Sequence, residues 1–86
     1  MFYYVYVLQC SDRKFYIGYS SDLRNRIKTH KAGNVKSTKG RLPVNLIFYE
    51  SFLHRMDAKR REKYFKTTAG KRALKLMLKK YMAEYF

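Results

Sequence analysis

The sequence predicts an α+β fold: a small three-stranded antiparallel sheet flanked by helices, with the element order β-β-α-β-α-α. Three observations predict it. Two aromatic and β-branched runs lie on either side of a polar turn near the start of the chain. A third apolar run follows mid-chain, and the remaining segments repeat their apolar residues at helical spacing. With 86 residues, the chain is expected to form one domain, residues 1–86, with a core near the lower size limit for unaided folding.

The first two apolar runs predict a β-hairpin. Its strands are Phe2–Gln9 and Lys14–Tyr19, and the turn-forming residues of Cys10–Arg13 separate them. A third strand is predicted over Val44–Phe52, directly after Pro43, which suits the first position of a strand. Because both faces of this third strand are apolar, we expect it to lie buried between the hairpin and the helices.

Tyrosines are concentrated in the predicted hairpin, which holds five of the nine in the chain. The general preference of Tyr for strands explains some of them, Tyr3 in particular. If the turn encloses three or five residues, Tyr6 and Tyr16 lie on one face of the hairpin, opposite each other or nearly so. Gly18 lies on that face too, where a missing side chain leaves room for a ligand or a backbone to approach.

Helical periodicity predicts three helices. The first covers Asp22–Lys31, with an N-cap in the Ser-Asp segment that opens it. The second runs from Asp57 to about Lys66, and the third, clearly amphipathic, from Lys71 to about Tyr85. The Ser, Thr and Gly content of residues 33–43 predicts a flexible loop between the first helix and the third strand.

The charge of the chain indicates its partner. Twenty Lys and Arg against six Asp and Glu give a formal net charge of +14, which favours a polyanion, with nucleic acid as the first expectation. Basic residues on the first helix and in the following loop are the candidate contacts: Arg24, Lys36, Lys39 and Arg41.

Other features of the sequence argue against membrane, secreted and zinc-binding classes. No apolar run reaches the roughly 18 residues of a membrane span, and no signal peptide is apparent at the N-terminus. The single cysteine, Cys10, cannot form an internal disulfide, and no set of four Cys or His ligands for zinc is present. We therefore expect a protein of the reducing cytoplasm, associated with the nucleoid if the source is bacterial.

Three polar residues of the helices are candidates for chemistry. Glu62 falls at the edge of the apolar side of the second helix, where a carboxylate must be paired or bind a metal. A salt bridge to one of the many Lys and Arg is one explanation, and a divalent ion that holds a phosphate is the other. Arg26 and His30 form an i, i+4 pair on the first helix that suits phosphate binding and proton transfer, or simply a solvated basic helix with a histidine at the core edge.

These residues together resemble the GIY-YIG nuclease family over essentially the whole chain. Tyr16-Ile17-Gly18 matches the second half of the family's name motif, and Tyr4-Val5-Tyr6 matches the first half, with Tyr4 in place of glycine. Arg26 and His30 match the family's R-x-x-x-H pattern, and Glu62 matches the last position of its E-A-x-x-x-E segment. No asparagine after Glu62 matches the late Asn of many family nucleases. The chain is most similar to the short stand-alone members, which are similar to the N-terminal domain of the bacterial excision-repair nuclease UvrC.

The resemblance implies a metal-dependent DNA endonuclease that hydrolyses phosphodiester bonds. It also implies a catalytic set: Tyr6, Tyr16, Arg26, His30 and Glu62. In this assignment Glu62 holds one Mg²⁺ or Mn²⁺ ion, Tyr16 or Tyr6 activates the attacking water while the other positions it, and Arg26 stabilises the phosphate. His30 assists by hydrogen bonding or proton transfer.

The resemblance also implies a structural role for Gly18 and contacts of Tyr19 and Lys39 with the phosphate backbone. We expect structure-directed or weakly sequence-specific cleavage, in DNA repair or recombination, with a possible targeting protein partner. Two alternatives stay open: a non-catalytic nucleic-acid-binding module that retains the fold, and a basic RNA-associated structural protein.

Overall fold

The computed structural model describes residues 1–85 and confirms the predicted α+β fold. Three antiparallel strands form one sheet in the order β2-β1-β3. The strands and helices are β1 Tyr3–Gln9, β2 Phe15–Ser20, α1 Leu23–Lys31, β3 Asn45–Phe52, α2 Arg55–Phe65, α3 Thr68–Met77 and α4 Lys79–Tyr85. A short 3-10 helix, Lys39–Arg41, lies in the loop before β3. Within residues 1–85, none of the helices has the length and apolar character that a membrane span requires.

The buried strand at the centre of the sheet is β1, and the prediction that the third strand would be buried between the hairpin and the helices was wrong. Four consecutive residues of β1, Val5–Leu8, are at most 1% exposed, because both faces of the central strand are covered. β3 lies at the edge of the sheet, and its Tyr49 is 52% exposed. Both strands are apolar on both faces, so the sequence pattern does not reveal which of them pairs on two sides.

Helices cover both faces of the sheet. On one face, Val5 and Val7 pack with Ala58 and Phe65 of α2 and with Leu74 of α3. On the other face, Tyr6 and Leu8 of β1 belong to a second apolar cluster. Leu23 and Ile27, the apolar stripe of α1, pack against this cluster. This second face carries the candidate catalytic tyrosines, so α1 forms the roof of that site.

The helix boundaries differ from the prediction where side-chain caps decide them. α2 begins at Arg55, not at Asp57, because the His54 ring nitrogen Nδ1 accepts a hydrogen bond of 3.0 Å from the Met56 amide. α3 begins at Thr68, not Lys71, because the Thr67 hydroxyl accepts a 3.0 Å bond from the Gly70 amide. Within residues 1–85 the predicted third helix is divided into α3 and α4 at Leu78, whose φ of −105° and ψ of 24° interrupt the helix.

The loop between α1 and β3 is packed in part against the core. Val35 is 7% exposed and Thr38 is fully buried, although the composition of this segment predicts a flexible coil. The Ser11 amide donates a 2.9 Å hydrogen bond to the Arg41 carbonyl, which ties the end of the loop to the β1–β2 turn. These contacts place Thr38 beside α1, where it reaches His30.

Gly70→Ala is expected to destabilise the protein by about 2 kcal/mol or more. A β-carbon at Gly70 would overlap the Tyr64 carbonyl oxygen, and backbone cannot move aside as a flexible side chain can. This strain outweighs the roughly 1 kcal/mol that alanine gains over glycine in a helix. Urea denaturation measures the change. Gly40→Ala is the matched control, since nothing lies within 4 Å of the added carbon there, and equal effects of the two changes would contradict the packing account.

Candidate active site

The β1–β2 register places the candidate tyrosines on one side of the sheet. The turn encloses five residues, between Gln9 and its partner Phe15. Tyr16 therefore stands opposite Leu8, and Tyr6 stands opposite Gly18. Because side chains alternate along a strand, Tyr6 and Tyr16 both project toward α1, offset diagonally, with ring centroids 6.4 Å apart.

Gly18 makes room for the Tyr6 ring and not for a ligand. A β-carbon at this position would overlap the phenol of Tyr6, which lies across the β2 backbone. The expectation that Gly18 leaves room for a ligand to approach is therefore corrected. The glycine allows the Tyr6 side chain, only 1% exposed, to cross β2 and bring its hydroxyl under α1.

A chain of hydrogen bonds links the Tyr6 hydroxyl to α1 and to the loop that follows it. The Tyr6 hydroxyl lies 2.7 Å from Nε2 of His30, and the Arg26 Nε–H donates to the same oxygen at 3.3 Å. On the other side of the imidazole, Nδ1 of His30 lies 2.8 Å from the Thr38 hydroxyl. The Tyr16 ring packs edge-on against His30, with centroids 5.2 Å apart. The structure thus brings four of the five predicted catalytic residues into direct contact.

Burial and charge shift the proton equilibria of this cluster. Burial raises the pKa of the Tyr6 phenol and the nearby Glu62 carboxylate also raises it, while the hydrogen bond from Arg26 lowers it. Burial lowers the pKa of His30, and the positive Arg26 lowers it again. The hydrogen bond to Tyr6 raises the pKa of Arg26. At neutral pH the cluster therefore consists of a neutral phenol, a neutral imidazole and a charged guanidinium.

Glu62 approaches the cluster from α2. Its side chain is 18% exposed, and its charge acts on the Tyr6 phenol. The complete burial of Ala58 and Phe65 confirms the apolar side of this helix, with Glu62 at its edge. Lys66 Nζ lies 3.1 Å from the carboxylate, so the salt bridge that the sequence left open does form. It is an i, i+4 pair with a half-exposed lysine, which is worth only a few tenths of a kcal/mol.

The carboxylate of Glu50, on β3, has a structural role. Its oxygens accept two hydrogen bonds from Arg61, at 2.8 and 3.2 Å. The pair raises the pKa of Arg61 and ties β3 to α2. Within residues 1–85, no cluster of three or more His, Cys, Asp or Glu that could hold a metal is found.

The predicted nucleic-acid contacts differ in their surroundings. Arg24, Lys36 and Lys39 are exposed. Arg41 instead binds Asp12 through two hydrogen bonds of 2.9 and 3.3 Å, and this contact lowers the pKa of Asp12. Tyr19 projects to the opposite face of the sheet from Tyr6, where it packs with the α2 side of the core and lies 4.3 Å from the Lys59 ammonium. For Arg41 and Tyr19 the structure therefore shows structural contacts.

Thr38 is the residue of this site that the sequence did not reveal. It is fully buried, and its hydroxyl is hydrogen-bonded to Nδ1 of His30, the ring nitrogen that does not contact Tyr6. In the sequence it is one hydroxyl residue in a polar loop, eight positions after His30, and no spacing rule connects the two. Only the folding of the loop over α1 brings them together.

This fold and this cluster define a GIY-YIG catalytic domain. A family profile of that description matches residues 2–76, and the chain belongs to the GIY-YIG family of nuclease domains. Its relatives are UPF0213 proteins, which form a stand-alone GIY-YIG family. The resemblance seen in the sequence is thereby confirmed.

Three of these relatives show how much of the chain is shared. UPF0213 protein CPE1444 of Clostridium perfringens is 39% identical over 82 residues, which cover 94% of this chain and 88% of that protein. UPF0213 protein YazA of Bacillus subtilis is 45% identical over 71 residues, 81% of this chain and 72% of that protein. The solution NMR structure of UPF0213 protein BH0048 from Bacillus halodurans superimposes with a TM-score of 0.58 at 36% identity, covering 90% of this chain and 85% of that one.

Thr38→Val is expected to cost about 1–3 kcal/mol, because it leaves Nδ1 of buried His30 without a partner while keeping the volume of the side chain. Thr38→Ser keeps the hydroxyl and serves as the control. Urea denaturation measures the free energy, and the ¹⁵N shifts of the imidazole report the tautomer and pKa of His30. If the valine and serine variants give the same imidazole shifts, the hydroxyl does not hold His30.

His30 is also expected to make stability depend on pH. Its folded-state pKa is lowered from 6.5, so the unfolded chain binds the proton first as the pH falls. The contribution of His30 to the free energy of unfolding is complete above about pH 6.5 and declines as the pH falls from there to the folded-state pKa, by at most about 1.4 kcal/mol per unit. His30→Gln should flatten this slope in urea titrations. A slope that His30→Gln leaves unchanged would assign the pH dependence to other groups.

Proposed function

We propose that the protein is a metal-dependent endonuclease that hydrolyses phosphodiester bonds in DNA. The observation that carries this proposal is the hydrogen-bonded cluster of Tyr6, Arg26 and His30, with Tyr16 packed against it. A module that only binds nucleic acid needs cations on its surface, not a guanidinium, an imidazole and two phenols held together beneath a helix. Family membership supports the same activity.

Arg26 is the residue best placed to stabilise charge on a phosphate. Its Nε–H is used by the Tyr6 hydroxyl, which fixes the plane of the guanidinium. Its terminal N–H groups, which also interact with Tyr16, can donate hydrogen bonds to phosphate oxygens, and their charge offsets the charge that grows on these oxygens during attack. Tyr6 thereby positions Arg26 as well as contributing its own hydroxyl.

The two phenols differ in access, and this difference suggests their roles. Tyr6 is 1% exposed and its hydroxyl is occupied by His30 and Arg26. Tyr16 is half-buried, so its hydroxyl can reach a water or a substrate. We therefore assign contact with the attacking water to Tyr16 and positioning to Tyr6. The Tyr6 hydroxyl can donate to the neutral imidazole of His30 while it accepts from Arg26, and its raised pKa keeps it protonated in this position.

A site with a single carboxylate can bind a divalent ion when phosphate groups of the substrate supply further ligands. Mg²⁺ keeps several waters and binds proteins through one or two carboxylates together with substrate phosphates. Glu62 can supply that carboxylate, since its partner Lys66 is 53% exposed and free to move away. When bound, Mg²⁺ or Mn²⁺ would neutralise charge on the scissile phosphate and make a nearby water more acidic. Such a site binds the ion weakly without DNA.

The second candidate is a nucleic-acid-binding module that retains the fold without cleaving. The Glu62–Lys66 pair favours it, because that carboxylate has a partner without any metal. An RNA-associated role belongs to this same class. The basic surface alone supports binding in either case, with an affinity that falls steeply with salt.

Glu62→Gln, Arg26→Ala and Tyr16→Phe are each expected to lower the cleavage rate about a hundredfold or more, because each removes a group that acts on the reacting phosphate or water. The assay incubates end-labelled branched, flap and duplex DNA with Mg²⁺ or Mn²⁺ and resolves the products on denaturing gels. Gel shifts without metal report binding separately.

Lys66→Ala is the matched control for Glu62. If Glu62 serves only the salt bridge, Lys66→Ala and Glu62→Gln should lower the free energy of unfolding by the same few tenths of a kcal/mol. The two variants should then cleave DNA at the same rate. If Glu62 holds a metal, Lys66→Ala keeps its cleavage and Glu62→Gln loses it. Binding of every DNA without cleavage of any would instead establish the second candidate.

A further inference from the structure

The flank of α1 that faces away from the catalytic cluster forms a second groove. Its floor is formed by Tyr4 of β1 and Tyr49 of β3, and its wall by Arg24, Lys28 and Lys31 of α1; we call this the α1–β3 groove. The three cations repeat at i, i+4 and i+7, so they form one row on the helix. Arg26 and His30 lie beyond the apolar stripe of the same helix, on its other flank.

The floor of the groove exposes aromatic surface that the core does not use. Tyr49 is 52% exposed on the edge strand, and its ring meets Tyr4 edge-on at 6.0 Å between centroids. Phe2, 46% exposed, continues the row, 6.5 Å from Tyr4. Clustered exposed rings on a small domain mark a binding surface more often than single exposed apolar residues do. Because these rings are held by the sheet, they offer fixed faces for stacking.

The wall of the groove is positively charged. The ion pairs found within residues 1–85 involve none of Arg24, Lys28 and Lys31. Asp22 is the acid at the end of the groove, and its carboxylate caps α1 by accepting from the Asn25 amide at 3.2 Å. A row of unpaired cations beside exposed rings matches a ligand with a charged backbone and flat apolar groups.

We propose that the α1–β3 groove binds single-stranded DNA. The phosphates lie along Arg24, Lys28 and Lys31, and bases stack on Tyr49 and Tyr4. In duplex DNA the bases stack on one another and cannot reach these rings, so the groove distinguishes unpaired from paired strands. Only the biological use of this binding rests on the proposed nuclease function. A single strand bound in the groove would lie one helix width from the catalytic cluster.

Fluorescence anisotropy with a labelled oligothymidylate of about 12 nucleotides, in EDTA, tests the proposal without any cleavage. Tyr49→Ala is expected to weaken binding of the oligonucleotide about five- to a hundredfold, the loss of one stacked base, and to change duplex binding less than about twofold. Tyr49→Phe keeps the ring and should bind as the original protein does. Lys28→Ala should reduce the slope of log affinity against log salt by about 0.7.

Tyr85→Ala is the matched control, because Tyr85 is 63% exposed on α4, away from the groove. Equal losses from Tyr49→Ala and Tyr85→Ala, or equal losses for single-stranded and duplex DNA, would overturn the proposal. So would polyglutamate competing as well as the oligonucleotide, or oligouridylate binding more tightly than DNA at equal salt. The same titrations with Glu62→Gln protein separate this proposal from the nuclease, since groove binding should persist in that variant whether or not the original protein cleaves DNA.

Discussion

The burial of the Tyr6 hydroxyl under α1 is the constraint on which the candidate site depends. The ring can cross β2 only because position 18 is glycine, and the hydroxyl then meets both His30 and Arg26. A buried hydroxyl without partners would cost several kcal/mol, so the polar groups of α1 stabilise the fold. Within residues 1–85 no buried side-chain nitrogen or oxygen lacks a partner. The site is therefore held in place before any substrate arrives.

The two faces of the sheet are covered by different kinds of side chains. The face under α2 and α3 is filled by aliphatic and aromatic side chains, with Phe65 and Leu74 at most 1% exposed. The face under α1 contains the polar cluster instead, and the loop that carries Thr38 closes over it. Glu62 belongs to α2 and yet acts on the Tyr6 phenol, so it is the link between the two layers. Helix α2 thus packs the core, and its Glu62 carboxylate also contributes to the raised pKa of the Tyr6 phenol.

Acids are scarce in this chain, and three of the six join or cap elements of the fold. Asp12 binds Arg41 at the hairpin turn, Glu50 binds Arg61 between β3 and α2, and Asp22 caps α1. These contacts neutralise few of the twenty Lys and Arg. The remaining cations repel one another, and a polyanion lying across α1 would relieve that repulsion. The same helix thus presents its buried polar flank to the cluster and its exposed basic flank to the α1–β3 groove.

The sequence by itself determined the element order, the hairpin, the charge and the residue types of the site, because strand alternation, helical spacing and short motifs are local properties of the chain. Tyr6, Tyr16, Arg26 and His30 could be named in advance because they match the motifs of the GIY-YIG family and because hairpin register and helical spacing place them on shared faces. Only the tertiary structure decided which apolar strand is central, that Gly18 accommodates Tyr6, and that Arg41 binds Asp12. It alone joined Thr38 to His30 and set Tyr4 and Tyr49 beside the basic row of α1. Those contacts join residues from different elements, so they depend on how strands, helices and loops pack, which no local pattern in the sequence specifies.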